Sequence, residues 1–446
     1  MESPERQSDH RAPRPEPTSP HLSATPSRPR RGILRRLAPR LAIVAVATLV
    51  ALASVEIYFR VRFPFGEAAW PSEFDARVGF RFVPGAEVRW SNFLDYATVT
   101  RANSLGFLDR EPPGERAPNE FRIAVLGDSF VEAAQVPIDE KLHVQLERLL
   151  SEAMPERRFR ASAFGYSGCG TSNVLPFYDE FAHAQDPDLV VLVFVSNDLA
   201  NNSPLLESIR NGWRPYTPPR VFFEADESGL REIPIAADWA EHVLQVEPAP
   251  SAPPIAGADW LGWSRTYAFV AANLRHRRSS TAHLDLYARR KAALEALDPS
   301  FAAALAGFDP RVDDLDTTFF AAELPPVFER ALRSTERSFV ELKKRAAADG
   351  AEVLVLVHDG CSGSRTLSAG RECLADGYRD RVMAAAGAAG LTCVDLGATF
   401  AARGDLAGTR FAHDGHWSPT GHRWAAESAA EFLLEHRDEY LPGSPR

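Results

Sequence analysis

Two uninterrupted apolar runs, at residues 190–195 and 353–357, constrain the fold of this chain most strongly. Each is about one strand long and has no polar residue on either face, which is typical of strands buried on both sides of a parallel sheet. Amphipathic helical patterns separate the strand-like segments, and this alternation predicts an α/β fold with helices on both faces of the sheet. The predicted strands are residues 122–126, 159–164, 189–195, 352–357 and 392–396, and the predicted helices are residues 139–154, 172–183, 329–348, 378–389 and 419–434.

Four short segments carry residue types used in hydrolytic chemistry, and each follows a predicted strand or lies in a late loop. They are Gly127-Asp128-Ser129-Phe130, Gly165-Tyr166-Ser167-Gly168, Ser196-Asn197-Asp198 and Asp414-Gly415-His416-Trp417. Open α/β sheets build their active sites at the carboxyl ends of their strands. A serine hydroxyl needs a base to take its proton, and histidine is the usual base near neutral pH. We therefore expect His416 to serve Ser129, with Asp414 orienting the same imidazole.

In this order, the four segments resemble the sequence blocks of the SGNH (GDSL-type) serine hydrolases. The resemblance implies an α/β, three-layer, flavodoxin-like SGNH fold with a five-stranded parallel sheet, and it implies neither a cofactor nor a metal. It also implies a catalytic triad and an oxyanion hole, the latter built from two backbone N–H groups and one amide side chain. The catalytic residues would be Ser129, His416 and Asp414, and the oxyanion donors would be Ser129, Gly168 and Asn197.

The resemblance covers residues 121–198 and 329–435, and it departs from the family pattern in three places. Ala163 stands where many members have asparagine, and Val195-Ser196 replaces a pair of glycines. The last block separates its aspartate and histidine by two positions rather than the commoner three, and a tryptophan follows. This block resembles that of the branch that includes alginate-type O-acetyltransferases, which favours acyl chemistry on glycans.

An apolar stretch at residues 41–59 has roughly the length needed to span a membrane, and its only charged residue is Glu56. The sequence predicts residues 1–40 as a disordered basic cytoplasmic tail, residues 41–59 as a single-pass inner-membrane anchor, and an extracytoplasmic (periplasmic) catalytic domain. Ala51-Leu52-Ala53 resembles a signal-peptidase site, so a cleaved signal is the competing interpretation. The arginines that precede the stretch are Arg30, Arg31, Arg35, Arg36 and Arg40.

Two further segments lie outside the resemblance. Residues 60–120 are predicted to form a small β-rich preamble, because aromatic and polar residues alternate there between glycines and prolines. Residues 121–446 are predicted to form the SGNH hydrolase domain, with an insertion at about residues 201–328 that is too long for a simple loop. We interpret the insertion as a lid that shapes substrate access, and a subdomain without such a role is the alternative.

Composition and cysteine content limit the partners and the compartment. A formal net charge of −10, without a basic stripe in the folded part, argues against binding to nucleic acid. The 4 cysteines fit an oxidising compartment, in which Cys361 and Cys373 are placed to pair across a loop. Cys393 is expected in the core. Cys169, beside a proposed oxyanion glycine, is expected to be a packing residue, and a reactive thiol is the alternative.

The sequence thus predicts a serine esterase that acts on O-acyl, chiefly O-acetyl, groups of cell-envelope glycans. Three alternatives remain open: a polysaccharide O-acetyltransferase with the same triad, a lipid esterase, and a catalytically inactive glycan-binding module. A competing chemical interpretation is a metal site, because histidine and carboxylate are usual zinc ligands. Its members would be His413, Asp414, His416 and His422. Ser362 lacks the spacing of a nucleophile elbow and is predicted to be a loop serine.

Overall fold

The structure is a computed structural model that describes residues 31–226, 229–247, 257–277, 282–358 and 374–442. Its central sheet consists of β1 (Glu120–Gly127), β2 (Arg158–Gly165), β3 (Leu189–Phe194), β4 (Glu352–Val357) and β5 (Thr392–Asp395). The strand order is β5-β4-β3-β1-β2, and every pairing is parallel. This is the flavodoxin-like order, whose topological switch point lies between β1 and β3. The predicted α/β fold and its five-stranded sheet are confirmed.

Both faces of the sheet are buried, which explains the uninterrupted apolar runs of β3 and β4. In β4, Val353, Val355 and Val357 belong to the hydrophobic cluster on one face, whereas Leu354 and Leu356 belong to the cluster on the other. This alternation follows from the two-residue period of a strand. Helices that contribute to the first cluster are Thr171–Phe177, Pro326–Ala348 and Gly377–Ala388. Those that contribute to the second are Leu142–Ala153, Leu396–Arg403 and Pro419–Glu435.

The helix predicted at residues 172–183 differs from the structure. The α-helix ends at Phe177, a wider π-type turn follows at Tyr178–Ala182, and a 3₁₀ turn at His183–Gln185 completes the segment. Pro176 lies inside the last α-helical turn. Proline has no N–H to donate and crowds the preceding turn, so regular α-helical hydrogen bonding cannot continue through it.

The remaining helices are short or belong to the insertion. The α-helices are Ser129–Glu132, Asp198–Asn201, Pro204–Asn211, Arg265–Arg277, Ala282–Leu297, Pro299–Ala304 and Arg437–Tyr440. The other 3₁₀ turns are Ile138–Glu140, Trp239–His242, Asp259–Leu261, Thr317–Phe320 and Leu406–Thr409.

Antiparallel hairpins occupy the predicted preamble, the insertion and the last loop. The preamble holds Ser72–Asp75 with Gly79–Phe82 and Glu87–Ser91 with Ala97–Arg101, the insertion holds Phe222–Asp226 with Gly229–Ile233, and the last loop holds Arg410–Phe411 with Asp414–Trp417. Phe82 of the preamble and Leu206 and Phe319 of the insertion are buried in the same cluster as one face of the sheet. Both segments therefore share the core of the central sheet.

The chain divides into two compact units, residues 1–55 and residues 56–446. Every described residue of the first unit lies in the helix Arg31–Arg62. Its segment Leu37–Arg62 is 26 residues long, and its most apolar window has a mean hydropathy of 2.2 with none of it buried. This helix is long and apolar enough to cross a membrane. Residues 1–30 of the predicted tail, Cys361, Ser362 and Cys373 lie outside the described residues.

Candidate active site

Ser129 begins the short helix that follows β1, directly at the switch point of the sheet. Asp128 forms the N-cap of this helix, because its Oδ1 accepts a hydrogen bond of 2.9 Å from the Phe130 N–H. The turn requires glycine at position 127. A Cβ there would lie 2.6 Å from Val131 Cγ2 and 3.1 Å from the Val193 carbonyl oxygen. Close packing between strand and helix therefore fixes the direction in which Ser129 projects.

Ser129, His416 and Asp414 meet in one hydrogen-bonded chain. Ser129 Oγ lies 2.7 Å from His416 Nε2, and His416 Nδ1 contacts Asp414 Oδ1 on the other side of the ring. The backbone N–H of His416 also donates to Asp414 Oδ1, at 3.0 Å. The three predicted triad residues thus have the arrangement in which a base can take the serine proton while a carboxylate orients the imidazole.

Buried aromatic packing fixes the loop that carries Asp414 and His416. Trp417 is fully buried, and its ring centroid lies 5.0 Å from that of Phe130, on the helix of Ser129. The Phe130 ring is also 5.0 Å from the His416 ring. Ser418 then caps the helix Pro419–Glu435, accepting from the Gly421 N–H at 3.3 Å. The histidine and the serine are therefore held against the same aromatic side chain.

The pKa shifts of His416 and Asp414 suit their proposed roles as a base and its charged partner. Burial by itself would lower the pKa of His416, but the hydrogen bond and charge of Asp414 outweigh it, and the net shift is upward from 6.5. Burial would raise the pKa of Asp414, but hydrogen bonds from His416 and Tyr96 lower it overall. Asp414 therefore stays ionised where His416 titrates.

The preamble supplies two supports for the triad loop that the sequence did not reveal. The Tyr96 hydroxyl donates to Asp414 Oδ2 at 2.5 Å, across 318 sequence positions. Asp95 accepts from the His413 backbone N–H at 2.8 Å, and its other carboxylate oxygen lies 2.8 Å from His413 Nδ1. The turn preceding Asp95 is closed by Asn92, whose Oδ1 accepts from the Asp95 N–H at 2.8 Å. This Asx turn was the only local signal in the sequence.

The two other predicted oxyanion donors follow the strands on either side of β1. Gly168 lies three residues beyond β2 and has a φ of +72°, a conformation that favours glycine. The Gly168 carbonyl accepts a hydrogen bond from Arg220 Nη1 of the insertion. Because β2, β1 and β3 are adjacent and parallel, the Gly168 and Asn197 loops reach the same edge of the sheet as Ser129.

Asn197 is joined to the nucleophile through Asp128. Asp128 Oδ2 accepts from Asn197 Nδ2 at 2.8 Å and lies 3.3 Å from Ser129 Oγ. Asn197 Nδ2 also donates to Asn201 Oδ1 at 2.8 Å. Both amide hydrogens are thus engaged, so an oxyanion would have to share or replace one of these acceptors. Asn197 lies close to Ser129, as its predicted role requires. Breaking one of its two hydrogen bonds would cost free energy, which the sequence did not indicate.

A buried glutamate links the nucleophile helix to the Gly168 loop. Glu132 lies three residues after Ser129, and its carboxylate accepts from the Ser167 N–H at 2.7 Å and from Ser167 Oγ at 3.0 Å. Burial raises the pKa of Glu132 to about 7. Lys141 is also buried, and burial lowers its pKa to about 8. Lys141 Nζ donates to the Glu132 carbonyl oxygen at 2.5 Å and to the Leu108 carbonyl oxygen at 2.6 Å.

The histidines of the alternative metal site point to separate partners. His413 faces Asp95, His416 faces Ser129, and His422 Nδ1 accepts from the Leu142 N–H at 3.3 Å inside the core. Burial lowers the pKa of His422 to about 3. Within the described ranges, no group of three or more His, Cys, Asp or Glu residues is arranged to hold a metal ion.

The two described cysteines behave as packing residues. Cys169 is buried in the main hydrophobic cluster, and burial raises the pKa of its thiol to about 12. At neutral pH it is therefore a thiol rather than a reactive thiolate. Cys393 is half-buried against the same cluster, and burial raises its thiol pKa to about 11. Neither one forms a disulfide with another described residue.

A flavodoxin-like sheet that presents Ser129, with His416 in contact, at its switch point is the architecture of a serine ester hydrolase. The chain belongs to the GDSL-like lipase/acylhydrolase family, whose sequence pattern matches residues 125–424. The predicted membership of the SGNH/GDSL superfamily and the predicted enzyme class are thereby confirmed. Among curated proteins, none matches this chain.

Several solved structures are similar to this chain at low sequence identity. An α/β hydrolase from the metagenome of Lake Arreo, Spain, is 13% identical with a TM-score of 0.33, and the match covers 70% of this chain and 94% of that one. An acetylxylan esterase from Geobacillus stearothermophilus is 13% identical with a TM-score of 0.33, covering 73% and 97%. A lipase/acylhydrolase from Enterococcus faecalis is 12% identical with a TM-score of 0.30, covering 73% and 100%. At these TM-scores the similarities indicate neither a substrate nor a partner.

Proposed function

We propose that this protein is a membrane-anchored esterase that removes O-acyl, chiefly O-acetyl, groups from cell-envelope glycans. Its catalytic residues are Ser129, His416 and Asp414. The observation that carries the proposal is the 2.7 Å contact between Ser129 Oγ and His416 Nε2 at the switch point of the sheet. The aspartate–histidine spacing of two, with tryptophan next, supports glycan chemistry, since it resembles the O-acetyltransferase branch of the superfamily.

In the first half of the reaction, Ser129 Oγ attacks the acyl carbonyl carbon while its proton passes to His416 Nε2. The negative charge on the carbonyl oxygen is stabilised by the backbone N–H groups of Ser129 and Gly168 and by Asn197 Nδ2. When the tetrahedral intermediate collapses, His416 gives the proton to the departing sugar oxygen. The acyl group is then bound to Ser129 as an ester.

In the second half, His416 takes a proton from water, which attacks the carbonyl carbon of the acyl-enzyme. The bond between this carbon and Ser129 Oγ then breaks, His416 gives the proton back to Ser129 Oγ, and the carboxylic acid is released. A sugar hydroxyl that took the place of water would make the protein an O-acetyltransferase with the same residues. The two activities therefore differ only in the acceptor.

The test uses the full-length protein in detergent with O-acetylated glycan, unacetylated glycan and p-nitrophenyl acetate. We expect acetate release from the acetylated glycan, lost in Ser129→Ala and retained in Ser151→Ala. Ser151 is a matched control because it lies outside the proposed site and its hydroxyl donates to the helix carbonyl of Glu147, at 2.7 Å. Acetyl transfer to the unacetylated glycan would make the transferase the function. Turnover of long-chain lipid esters alone would identify a lipid esterase, and glycan binding without turnover of any ester would identify a binding module.

The apolar helix and the arginines before it support the location that we propose, an inner-membrane anchor with the catalytic domain outside the cytoplasm. Protease added to the outside of spheroplasts should therefore degrade the catalytic domain. Protection of that domain until the membrane is permeabilised would reverse the proposed orientation.

A further inference from the structure

Glu56 is the only carboxylate in the apolar stretch 41–59. It is bound by the N-terminus of the helix Arg265–Arg277. Its side chain accepts hydrogen bonds from Ser264 Oγ at 2.7 Å, from the Arg265 N–H at 3.0 Å, and from the Thr266 N–H and Oγ1 at 3.1 and 2.9 Å. It therefore caps the helix Arg265–Arg277 from another part of the chain. An ionised carboxylate near the membrane is costly unless partners accompany it. Residues 264–266 must consequently lie at the same depth as Glu56.

Aromatic packing extends this contact along the last turns of the apolar helix. The rings of Phe59 and Phe269 stack with their centroids 4.5 Å apart. One turn after Glu56, Arg60 donates to the Trp263 carbonyl oxygen at 3.0 Å, and its guanidinium lies 5.9 Å from the Trp263 ring. Glu56 is only six residues, about 9 Å, before the helix ends at Arg62. Trp263 thus lies beside the last turns of the apolar helix, where that helix would emerge from the membrane.

Trp263 and its neighbour Trp260 are unusually exposed, at 59% and 71% of their surface. They adjoin an apolar helix end on which Ile57, Tyr58 and Val61 are also exposed. Large apolar side chains exposed together in neighbouring segments are typical of a surface that meets a partner. Tryptophan is the side chain enriched at the boundary between lipid and water, where its ring lies among the headgroups and its N–H stays hydrated.

We propose that residues 257–277 form a membrane-interface element, in which Trp260 and Trp263 insert among the headgroups of the phospholipid bilayer. This inference rests on the membrane anchor of the proposed function. The exposed Arg60, which contacts Trp263, supplies positive charge for anionic headgroups. The bilayer is the occupant that the surface favours, because tryptophan prefers the lipid–water boundary and Trp263 lies against the last turns of a helix that is long and apolar enough to cross a membrane. The element fixes the catalytic domain against the membrane in one orientation.

The test is quenching of tryptophan fluorescence by lipids with brominated acyl chains. Full-length protein is reconstituted in vesicles of phosphatidylcholine and phosphatidylglycerol, with or without brominated chains. We expect brominated lipid to quench about a quarter of the emission, because two of the 8 tryptophans would lie among the lipids. The quenched fraction should disappear in the Trp260→Phe/Trp263→Phe double variant. It should persist in the control Trp239→Phe, whose half-buried ring packs on Phe74 and Phe80.

Flotation of the vesicles after a carbonate wash, together with turnover of p-nitrophenyl acetate, separates the possible failures. Protein that floats and hydrolyses the ester but shows no lipid quenching would overturn the interface while leaving the anchor and the esterase in place. Equal quenching in the wild type and the double variant would also overturn it, since other tryptophans would then be the ones in lipid. Protein that does not float would overturn the anchor and the interface together, and ester turnover in that protein would still support the esterase.

Discussion

The Tyr96 hydroxyl donates a 2.5 Å hydrogen bond to the carboxylate oxygen of Asp414 that does not face His416. One oxygen of Asp414 is thus committed to the imidazole and the other to a side chain of the N-terminal preamble. Burial and the negative charge of Asp414 raise the pKa of Tyr96, so its hydroxyl keeps its proton and remains a donor. The preamble therefore takes part in orienting Asp414, the proposed triad carboxylate.

Replacing Tyr96 by phenylalanine removes this donor and keeps the ring, which packs on Phe411 with centroids 4.9 Å apart. A hydrogen bond to a charged group contributes about 1.5 kcal/mol, so we expect kcat/KM for p-nitrophenyl acetate to fall about tenfold. Tyr440→Phe is the matched control, because Tyr440 is buried away from the triad, beside Thr392. Unchanged kcat/KM in Tyr96→Phe would contradict the orienting role.

The acid side of the pH–activity profile should follow His416. Because its pKa is raised above 6.5, activity should rise with pH above that value as the imidazole loses its proton. In Asp414→Asn the negative charge is lost, so the pKa of His416 falls and the rising limb shifts to lower pH. The plateau should drop by roughly three to four orders of magnitude.

The profile is measured as kcat/KM against pH from 5 to 9, with the fully exposed Asp438→Asn as the control variant. An Asp414→Asn profile that kept both the midpoint and the plateau of the wild type would remove Asp414 from the triad.

Replacing the proposed nucleophile should lower activity more than replacing the proposed oxyanion donor. Ser129→Ala should lower ester turnover by several orders of magnitude, on the scale of triad serines. Asn197→Ala should lower kcat by about a hundredfold, because one donor of three is lost. A smaller loss in Asn197→Ala would indicate that its amide stays on Asp128 and Asn201 in the transition state. Single-turnover kinetics with p-nitrophenyl acetate distinguish the loss of chemistry from the loss of binding.

Glu132 should affect activity because it holds the Ser167 loop, and it should affect stability because its carboxyl group gains and loses a proton. Glutamine can still accept from the Ser167 N–H and donate to Ser167 Oγ, so Glu132→Gln should keep kcat within a few-fold. Alanine cannot, so Glu132→Ala should lower kcat by about tenfold, because the neighbouring Gly168 donor is released. KM is measured in parallel. A raised KM with an unchanged kcat would contradict the proposed positioning of this loop.

The pH dependence of stability gives a second readout for Glu132. Its pKa is raised from 4.5 to about 7 in the folded protein, so the folded state holds this proton more tightly than the unfolded chain does. The glutamate therefore costs increasing stability as pH rises from 4.5 to 7. The Tm of Glu132→Gln relative to the wild type should consequently be a few degrees higher at pH 8 than at pH 5. A difference in Tm that does not change with pH would show that the carboxylate is ionised throughout this range.

The elements that local sequence predicted well are those whose signal lies within a single segment. The apolar runs of β3 and β4 specify buried strands wherever they occur, and Ser418 with Pro419 marks a helix start without reference to the rest of the chain. Ser129 and His416 were predicted from motifs of this local kind, and the structure brings them into contact.

The contacts that escaped prediction join distant segments or depend on burial. Tyr96 bonds to a residue 318 positions away, and nothing near it in the sequence distinguishes it from other tyrosines. Glu132 looks like a surface residue of a short helix until the Ser167 loop covers it. The π-type turn after Pro176 does have a local signal, since a proline interrupts regular α-helical hydrogen bonding, and the prediction of one helix at residues 172–183 is wrong for this reason.

The helix Arg265–Arg277 has a different partner at each end. Its first residues bind Glu56, and near its last turn the His276 ring lies 4.7 Å from the ring of His413, which precedes Asp414 of the proposed triad. This helix of 13 residues is about 20 Å long, so with Glu56 at the proposed membrane boundary it would limit how far the His413 loop can lie from the lipid. The proposed active site would then stay near the membrane surface, and its substrates would be the esters that lie within that distance of the lipid.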